Sequence, residues 1–244
     1  VSVMIIIMSV LFIIFLFLIY AVLPTLVIRI FGLSIIQRIS DERSIALTFD
    51  DGPDPDYTPQ LLDLLKRFNV KASFFVVGEK VKNNPELVRR MHAEGHTIGI
   101  HHYHHISSWI MSPFKLREQL RLTEELITRC TNEKVHFYRP PWGHFNLFSL
   151  LVGRQYSIIM WNKIFKDWKT EVCKESLLEK LHANTEGGSI YLLHDSGVTL
   201  GADREAPKYM IEKLEKFLEE SRRNRVAFIS LNELYQLDKN TRVI

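Results

Sequence analysis

Seven short segments rich in β-branched and aromatic residues, at 45–49, 71–77, 96–100, 135–138, 157–161, 189–193 and 225–229, recur along the chain with helical patterns between them. Strands that alternate with helices are joined by crossovers, and a crossover makes consecutive strands parallel. The pattern predicts an α/β fold around a parallel sheet, either open and doubly wound or closed into a barrel; periodicity does not choose between the two. Leu61, Leu62, Leu64, Leu65 and Phe68 make one helical stripe, and Asn84-Pro85-Glu86 reads as a cap, a first-turn proline and an acid opening a second helix. Ser112-Pro113 opens a third. Residues 146–154 and 174–182 suit a short fourth and fifth, and Pro207 starts a sixth carrying Met210, Ile211, Leu214, Phe217 and Leu218.

Ahead of this alternation, Val1 to Ile28 contains no charged residue, and Leu11 to Ile19 is apolar on every helical face. A hydrocarbon core needs about 20 such residues, so the run is long enough to span a bilayer. Secretory signals have apolar regions of about 7–15 residues closed by small residues. Tyr20-Ala21-Val22-Leu23-Pro24 is a poor cleavage site by that standard. The expectation is an uncleaved single-pass anchor with a short connector over residues 1–38, then one catalytic-sized domain over 39–244. The chain's 244 residues, 46% of them apolar, suffice for one such core. Arg29, Arg38 and Arg43 follow the span, and a literal count of flanking positive charges would keep the domain in the cytoplasm, although the chain begins with Val and residues before it would enter that count. Net charge is +3, of which Arg29 and Arg38 supply two before the first acid at Asp41. The remainder gives no reason to expect a nucleic-acid partner. Cys130 and Cys173 are too few for a disulfide scaffold and have no metal-site spacing.

In parallel α/β folds the functional groups gather where strands end at their C-terminal side. The first strand stops at Asp50-Asp51-Gly52-Pro53, two like charges side by side that need a metal, an arginine or a shared proton. The third runs into His101-His102-Tyr103-His104-His105 and the fourth into Arg139-Pro140-Pro141-Trp142-Gly143. The fifth is followed by Asp167-Trp168, and the sixth ends in His194-Asp195. Five of seven strands thus bring an ionisable residue to one rim, whereas chance would scatter such residues over both. Imidazoles facing carboxylates suit a divalent cation, zinc in particular. Spacing leaves the histidine pair open: 101 with 105, 101 with 104, or 102 with 105 could share a face. His96 and His136 read as ordinary strand or hydrogen-bonded residues, Trp142, Trp161 and Trp168 by default as packing, and Asp195 as a cap for the next segment.

Thr48-Phe49-Asp50-Asp51-Gly52-Pro53 resembles the first motif of the polysaccharide deacetylases, the NodB-type carbohydrate esterases of family 4. His101-x-x-x-His105 resembles their second, Arg139-Pro140-Pro141-Trp142-Gly143 with Asn146 their third, Asp167-Trp168 their fourth, and Leu192-Leu193-His194-Asp195 their fifth, in the family's order. The resemblance implies a distorted seven-stranded (β/α) barrel and metal-dependent removal of N-acetyl groups from an extracytoplasmic polysaccharide such as peptidoglycan, poly-N-acetylglucosamine or a chitin-like chain, with the domain outside the cell membrane. Carried over, Asp51, His101 and His105 would hold the metal, zinc or else cobalt, nickel or manganese. Asp50 would be the general base and His194 the general acid, with Arg139 and Asp167 orienting them. Trp142 would offer its backbone N–H to the oxyanion, and Trp168 and Leu192 would line the acetyl pocket. The family often has Asn and Ser where this chain has Ile100 and His104, so His102 and His104 are extra imidazoles that could compete for metal. Two rival readings keep the fold: hydrolysis of a non-carbohydrate amide or ester, and a non-catalytic carbohydrate-binding pseudoenzyme. Asp50 and His194 are needed for turnover but not for holding metal, and their presence weighs against the pseudoenzyme.

Overall fold

The computed structural model describes residues 2–241. Nine strands form one sheet: β1 (Ile35–Ile36), β2 (Ser44–Asp50), β3 (Ser73–Val76), β4 (Thr97–Ile100), β5 (Phe137–Tyr138), β6 (Ser157–Ile159), β7 (Lys163–Ile164), β8 (Ser189–His194) and β9 (Ala227–Phe228). Every ladder between them is parallel, in the order β1-β6-β5-β4-β3-β2-β8-β7, with β9 pairing at the start of β2. The sheet curls into a half-barrel of (β/α) type, as the sequence resemblance implied. The seven expected strands are all present. The two additional ones, β1 and β7, are two residues long, too short to carry a periodicity.

Side chains alternate between the faces of a strand, and this divides the core in two. Ile45, Leu47 and Phe49 of β2 face outward into a large cluster with the helices, joined by Phe74, Val76, Ile98, Ile100, Tyr191 and Leu193. Ala46 faces the concave side, with Phe75, Phe137, Ile159 and Ile190. By the same alternation Thr48 and Asp50 of β2, and Leu192 and His194 of β8, continue that inner row to the C-terminal rim. β2 is buried along its whole length and sits between β3 and β8, which suits its mostly apolar sequence.

The helices follow their stripes, with three corrections. Asn84 precedes the second helix without capping it by its side chain, whose amide donates instead to the Lys80 carbonyl at 3.1 Å. The expected fifth helix breaks at Ser176, between Thr170–Glu175 and Leu177–His182. The expected fourth shrinks to Ser149–Val152. Its first residues are held instead by Asn146, whose side-chain amide donates to the carbonyls of Ser108 and Met111 at 2.7 and 3.0 Å while its oxygen accepts from Phe148 N at 3.0 Å. A buried Asn satisfied this way favours a loop over a helix.

The apolar N-terminal run is helical from Ser2 to Phe31, with a π turn at Leu18–Val22 and a left-handed Gly32 closing its end. Val3–Phe31 is long and apolar enough to cross a membrane. Its second half lies on the domain: Ala21, Thr25 and Ile28 are buried, and the Thr25 hydroxyl accepts from Phe145 N (2.9 Å) and Trp109 Nε1 (2.8 Å). The segment read as a connector joins the sheet through β1 and through an antiparallel bridge between Arg38 and Ser189.

Candidate active site

β2 delivers Asp50 at its last position, and Asp51 follows with φ at +76°, an unusual conformation for a residue with a Cβ. Position 52 must be glycine for the chain to pass here, because a Cβ would collide with the Asp195 carboxylate. Such strain costs of order 1–3 kcal/mol and persists where surroundings impose it. Here they include Thr58, which donates to Asp195 at 2.5 Å, and Lys80, whose ammonium holds the Asp51 carbonyl and Ser196 at 2.7 Å each. Asp195 is therefore a buried clamp on the first loop and not a cap for the segment after β8. Burial pushes its carboxyl up to about 7, against the pull of Thr58 and Lys80.

β4 ends at Ile100, and the loop after it places two imidazoles against Asp51. His101 Nε2 and His105 Nε2 lie 3.3 and 3.1 Å from Asp51 Oδ1. Ligand atoms of these three residues fall within 4.8 Å of one another, the spacing of groups around one cation. His101 Nδ1 lies 2.8 Å from the Arg139 carbonyl, which can only accept, so Nδ1 carries a proton and Nε2 is the nitrogen turned to the carboxylate. Asp51 Oδ1 is buried with no hydrogen-bond partner among the described residues. Two imidazole nitrogens converging on a carboxylate oxygen that no hydrogen bond satisfies form a donor set that fits a divalent metal. Burial alone would raise the Asp51 carboxyl, but His101 and His105 outweigh it and hold the group well below the usual range. Burial likewise lowers His105, partly offset by Asp51.

The two extra imidazoles turn away. His102 adopts a φ of +62° and lies within hydrogen-bond distance of the Ile106 carbonyl (2.9 Å) and the Tyr138 hydroxyl (2.8 Å). Burial, with neighbouring His101, lowers it to about 3. His104 is half-buried beside Glu79, 3.0 Å away.

Arg139, after β5, is completely buried. Its guanidinium donates to Asp50 Oδ1 (2.6 Å), Thr48 Oγ1 (2.8 Å) and the carbonyls of Ile159 (3.0 Å) and Met160 (3.1 Å), and lies over the Phe75 ring. This is an internal post, where a solvent-facing rim pair would contribute little. On the other side Asp167 accepts from His194 twice, from the backbone N–H at 2.7 Å and from Nδ1 at 3.0 Å. Burial alone would lower His194, but the charge and hydrogen bond of Asp167, helped by Asp51 and Asp50, raise it to about 9.

These groups open on one pocket of about 210 Å³. Asp50, Asp51, His101, His105 and His194 form its polar wall, and Trp142, Trp168 and Leu192 contribute to the apolar one. Trp161 and Ile164 also line it, as does the loop Thr199–Ala202, none of which carried a sequence signal beyond apolarity. Trp142 has a φ of +55° and packs edge-on to His105 at 4.2 Å; Trp168 does the same to His194 at 5.3 Å.

The curled parallel half-barrel presents at its C-terminal rim an Asp-His-His cluster that could hold a metal ion, in a fold of the (β/α) type. The polysaccharide deacetylase profile matches residues 37–160, and the chain belongs to that family. It is 35% identical over 199 residues to a peptidoglycan-N-acetylglucosamine deacetylase of Bacillus cereus, across 80% of this chain and 89% of that one. Among solved structures it is similar to the Bc1960 peptidoglycan N-acetylglucosamine deacetylase, with a TM-score of 0.74, 28% identity, and 86% of this chain and 96% of that one covered. It is also similar to BA3943, a pseudoenzyme of the same esterase family from Bacillus anthracis, with a TM-score of 0.68, 26% identity, and 79% and 65% covered.

Proposed function

We propose that this chain is a membrane-anchored, metal-dependent deacetylase that removes N-acetyl groups from N-acetylglucosamine-type residues of peptidoglycan or a related envelope polysaccharide, with its domain on the outer side of the membrane. The observation that carries this reading is the convergence of Asp51, His101 and His105 on one point of a pocket that also holds Asp50 and His194. The names of the relatives supply the substrate class. Asp51 Oδ1, His101 Nε2 and His105 Nε2 would hold the cation. Bound there, zinc or another divalent ion would acidify a water and polarise the acetamide carbonyl.

The protein's own groups do the rest. Arg139 occupies Asp50 Oδ1 and leaves Oδ2 to take the proton of the attacking water. The tetrahedral oxyanion is received by the backbone N–H of Trp142. An amine leaves only when protonated, and His194 supplies that proton from Nε2 because Asp167 engages Nδ1. Trp168 and Leu192 close around the acetyl methyl.

The test uses the full chain in detergent, stripped of metal and then reloaded with zinc, with acetate release followed from peptidoglycan and from N-acetylglucosamine oligomers. Metal-dependent release that vanishes in Asp50→Asn and His194→Ala is expected. Carbohydrate binding without release from any sugar would move the chain to the pseudoenzyme class, and release from small esters alone would exclude a polysaccharide substrate.

A further inference from the structure

The N-terminal helix meets the domain with no spacer. Phe17 packs edge-on against Trp109 at 6.0 Å, the Tyr20 hydroxyl donates to the Met111 carbonyl at 2.5 Å, and the Tyr20 carbonyl accepts from Leu147 N at 2.9 Å. From Val3 to Ile19 every side chain is exposed and no charge intervenes. The last free apolar residues therefore run directly into those that touch the domain, and the edge of a bilayer holding this helix falls at the domain surface.

That surface is itself apolar. Ile110, next to Met111, is 74% exposed, and Phe114, in the first turn after it, is 80% exposed. Leu147, whose backbone bonds Tyr20, is 59% exposed, and Leu151, in the short helix that follows, is 58% exposed. Large side chains left singly on a surface need no explanation, but four from two separate segments flanking one point do. Tyr20 and Trp109 stand at the same level, the residue types enriched where membrane meets water. The outward face of the docked half-helix continues the apolar surface with Leu23, Leu26 and Ile30.

We propose that the domain face formed by Ile110, Phe114, Leu147 and Leu151 seats in the lipid interface around the N-terminal helix, so that the domain is docked on the bilayer and not tethered above it. This rests on reading the helix as a membrane anchor. Residues that bind interfaces in this way enter to about 5–10 Å, where headgroups give way to acyl chains. Docking also fixes the pocket: a chain of ring contacts runs from Phe17 through Trp109, His144 (3.8 Å from Trp109) and Trp142 (5.9 Å from His144) to His105. The segment 141–148 carries both Trp142 at the pocket and Leu147 at the lipid face, which sets the pocket close to the membrane surface.

The experiment places an environment-sensitive fluorophore on single cysteines in the full chain, in a Cys130→Ser background, reconstituted into phosphatidylglycerol and phosphatidylethanolamine vesicles containing nitroxide-labelled lipid. Labels at Ile110→Cys, Phe114→Cys, Leu147→Cys and Leu151→Cys are expected to be quenched severalfold more than labels at the exposed Lys82→Cys and Lys216→Cys, and more strongly by shallow than by deep nitroxides. A label at Phe12→Cys reports insertion separately, by deep quenching. Deep quenching at position 12 with the four domain labels no different from the controls would overturn the docking and leave the anchor standing. No quenching at position 12 would overturn both. Energy transfer between copies from the four positions, without lipid quenching, would assign the face to a second copy of the chain and also overturn the proposal.

Discussion

Asp50 and His194 are direct Cα partners in the parallel ladder between β2 and β8, the last pair before both strands end. Neighbouring strands lie about 4.8 Å apart, so the proposed base and acid share one level and one face of the sheet with their separation set by the ladder. Their tethers come from opposite sides, Arg139 for the aspartate and Asp167 for the histidine. On this geometry Asp50→Asn and His194→Ala should each lower kcat by about 10²–10⁴, the usual worth of a positioned proton-transfer group. Both should retain metal, because neither is among the three converging ligand atoms. Acetate release measured beside metal content checks this, and loss of metal from either variant would contradict the division of roles.

The pH dependence follows from the His194–Asp167 pair. His194 must be protonated to act, and Asp167 is the chief charge raising it to about 9. Activity should therefore fall as pH rises through the His194 pKa. A cation on Asp51 weakens that carboxylate's contribution, so the limb in the loaded enzyme lies below about 9. In Asp167→Asn the limb should move further toward acid. The stability linkage has the same sign: a histidine raised above its unfolded value contributes stability fully present below pH 6.5 and lost as pH rises toward 9. A kcat profile from pH 5 to 10 for the two proteins decides it; an unmoved limb would mean that another group supplies the proton.

What could be read in advance was whatever the strands impose. A parallel fold brings its polar residues to one rim, so Asp50, His101, Arg139, Asp167 and His194 group together from the sequence alone. Their motifs then implied the ligand set. Ile164 and Leu200 in the pocket wall were not legible, because an apolar residue in a loop or two-residue strand looks the same whether it lines a pocket or packs elsewhere. Asp195 was misread as a cap because its partners, Gly52 and Thr58, lie far away in sequence. Thr25 and Tyr20 were hidden inside a run whose composition speaks only of lipid, although their hydrogen bonds dock the helix onto the domain.

The four clustered imidazoles should separate cleanly by substitution. His101→Ala and His105→Ala remove nitrogens facing Asp51 Oδ1 and should abolish tight zinc binding, as should Asp51→Ala. His104→Ala should change neither metal content nor activity, since that half-buried ring is engaged by Glu79 and is not among the three converging ligand groups. His102→Ala should keep a one-to-one zinc stoichiometry but lose about 1–3 kcal/mol of stability, because the buried Tyr138 hydroxyl and the Ile106 carbonyl lose the ring between them. Calorimetric zinc titration with denaturant unfolding of the metal-free proteins tests both halves. A second zinc equivalent that disappears in His102→Ala or His104→Ala would show that the extra imidazoles bind metal after all.

Arg139 offers a test of how the base is held. Its guanidinium is fully buried and ties Asp50, Thr48 and two carbonyls at the end of β6 into one unit. Burial pulls its own pKa down, and the Asp50 carboxylate opposes this, as expected of a charge that depends on its partner. Arg139→Met would strand the Asp50 carboxylate without a counter-charge, and breaking a buried pair in this way costs about 3–5 kcal/mol. Removing the negative charge as well should recover part of that loss, so the Asp50→Asn, Arg139→Met double variant should be more stable than Arg139→Met alone while remaining inactive. Chemical denaturation of the four proteins in a double-mutant cycle measures the coupling. Additive losses would mean that Arg139 supports the fold through the Ile159 and Met160 carbonyls and not by holding the base.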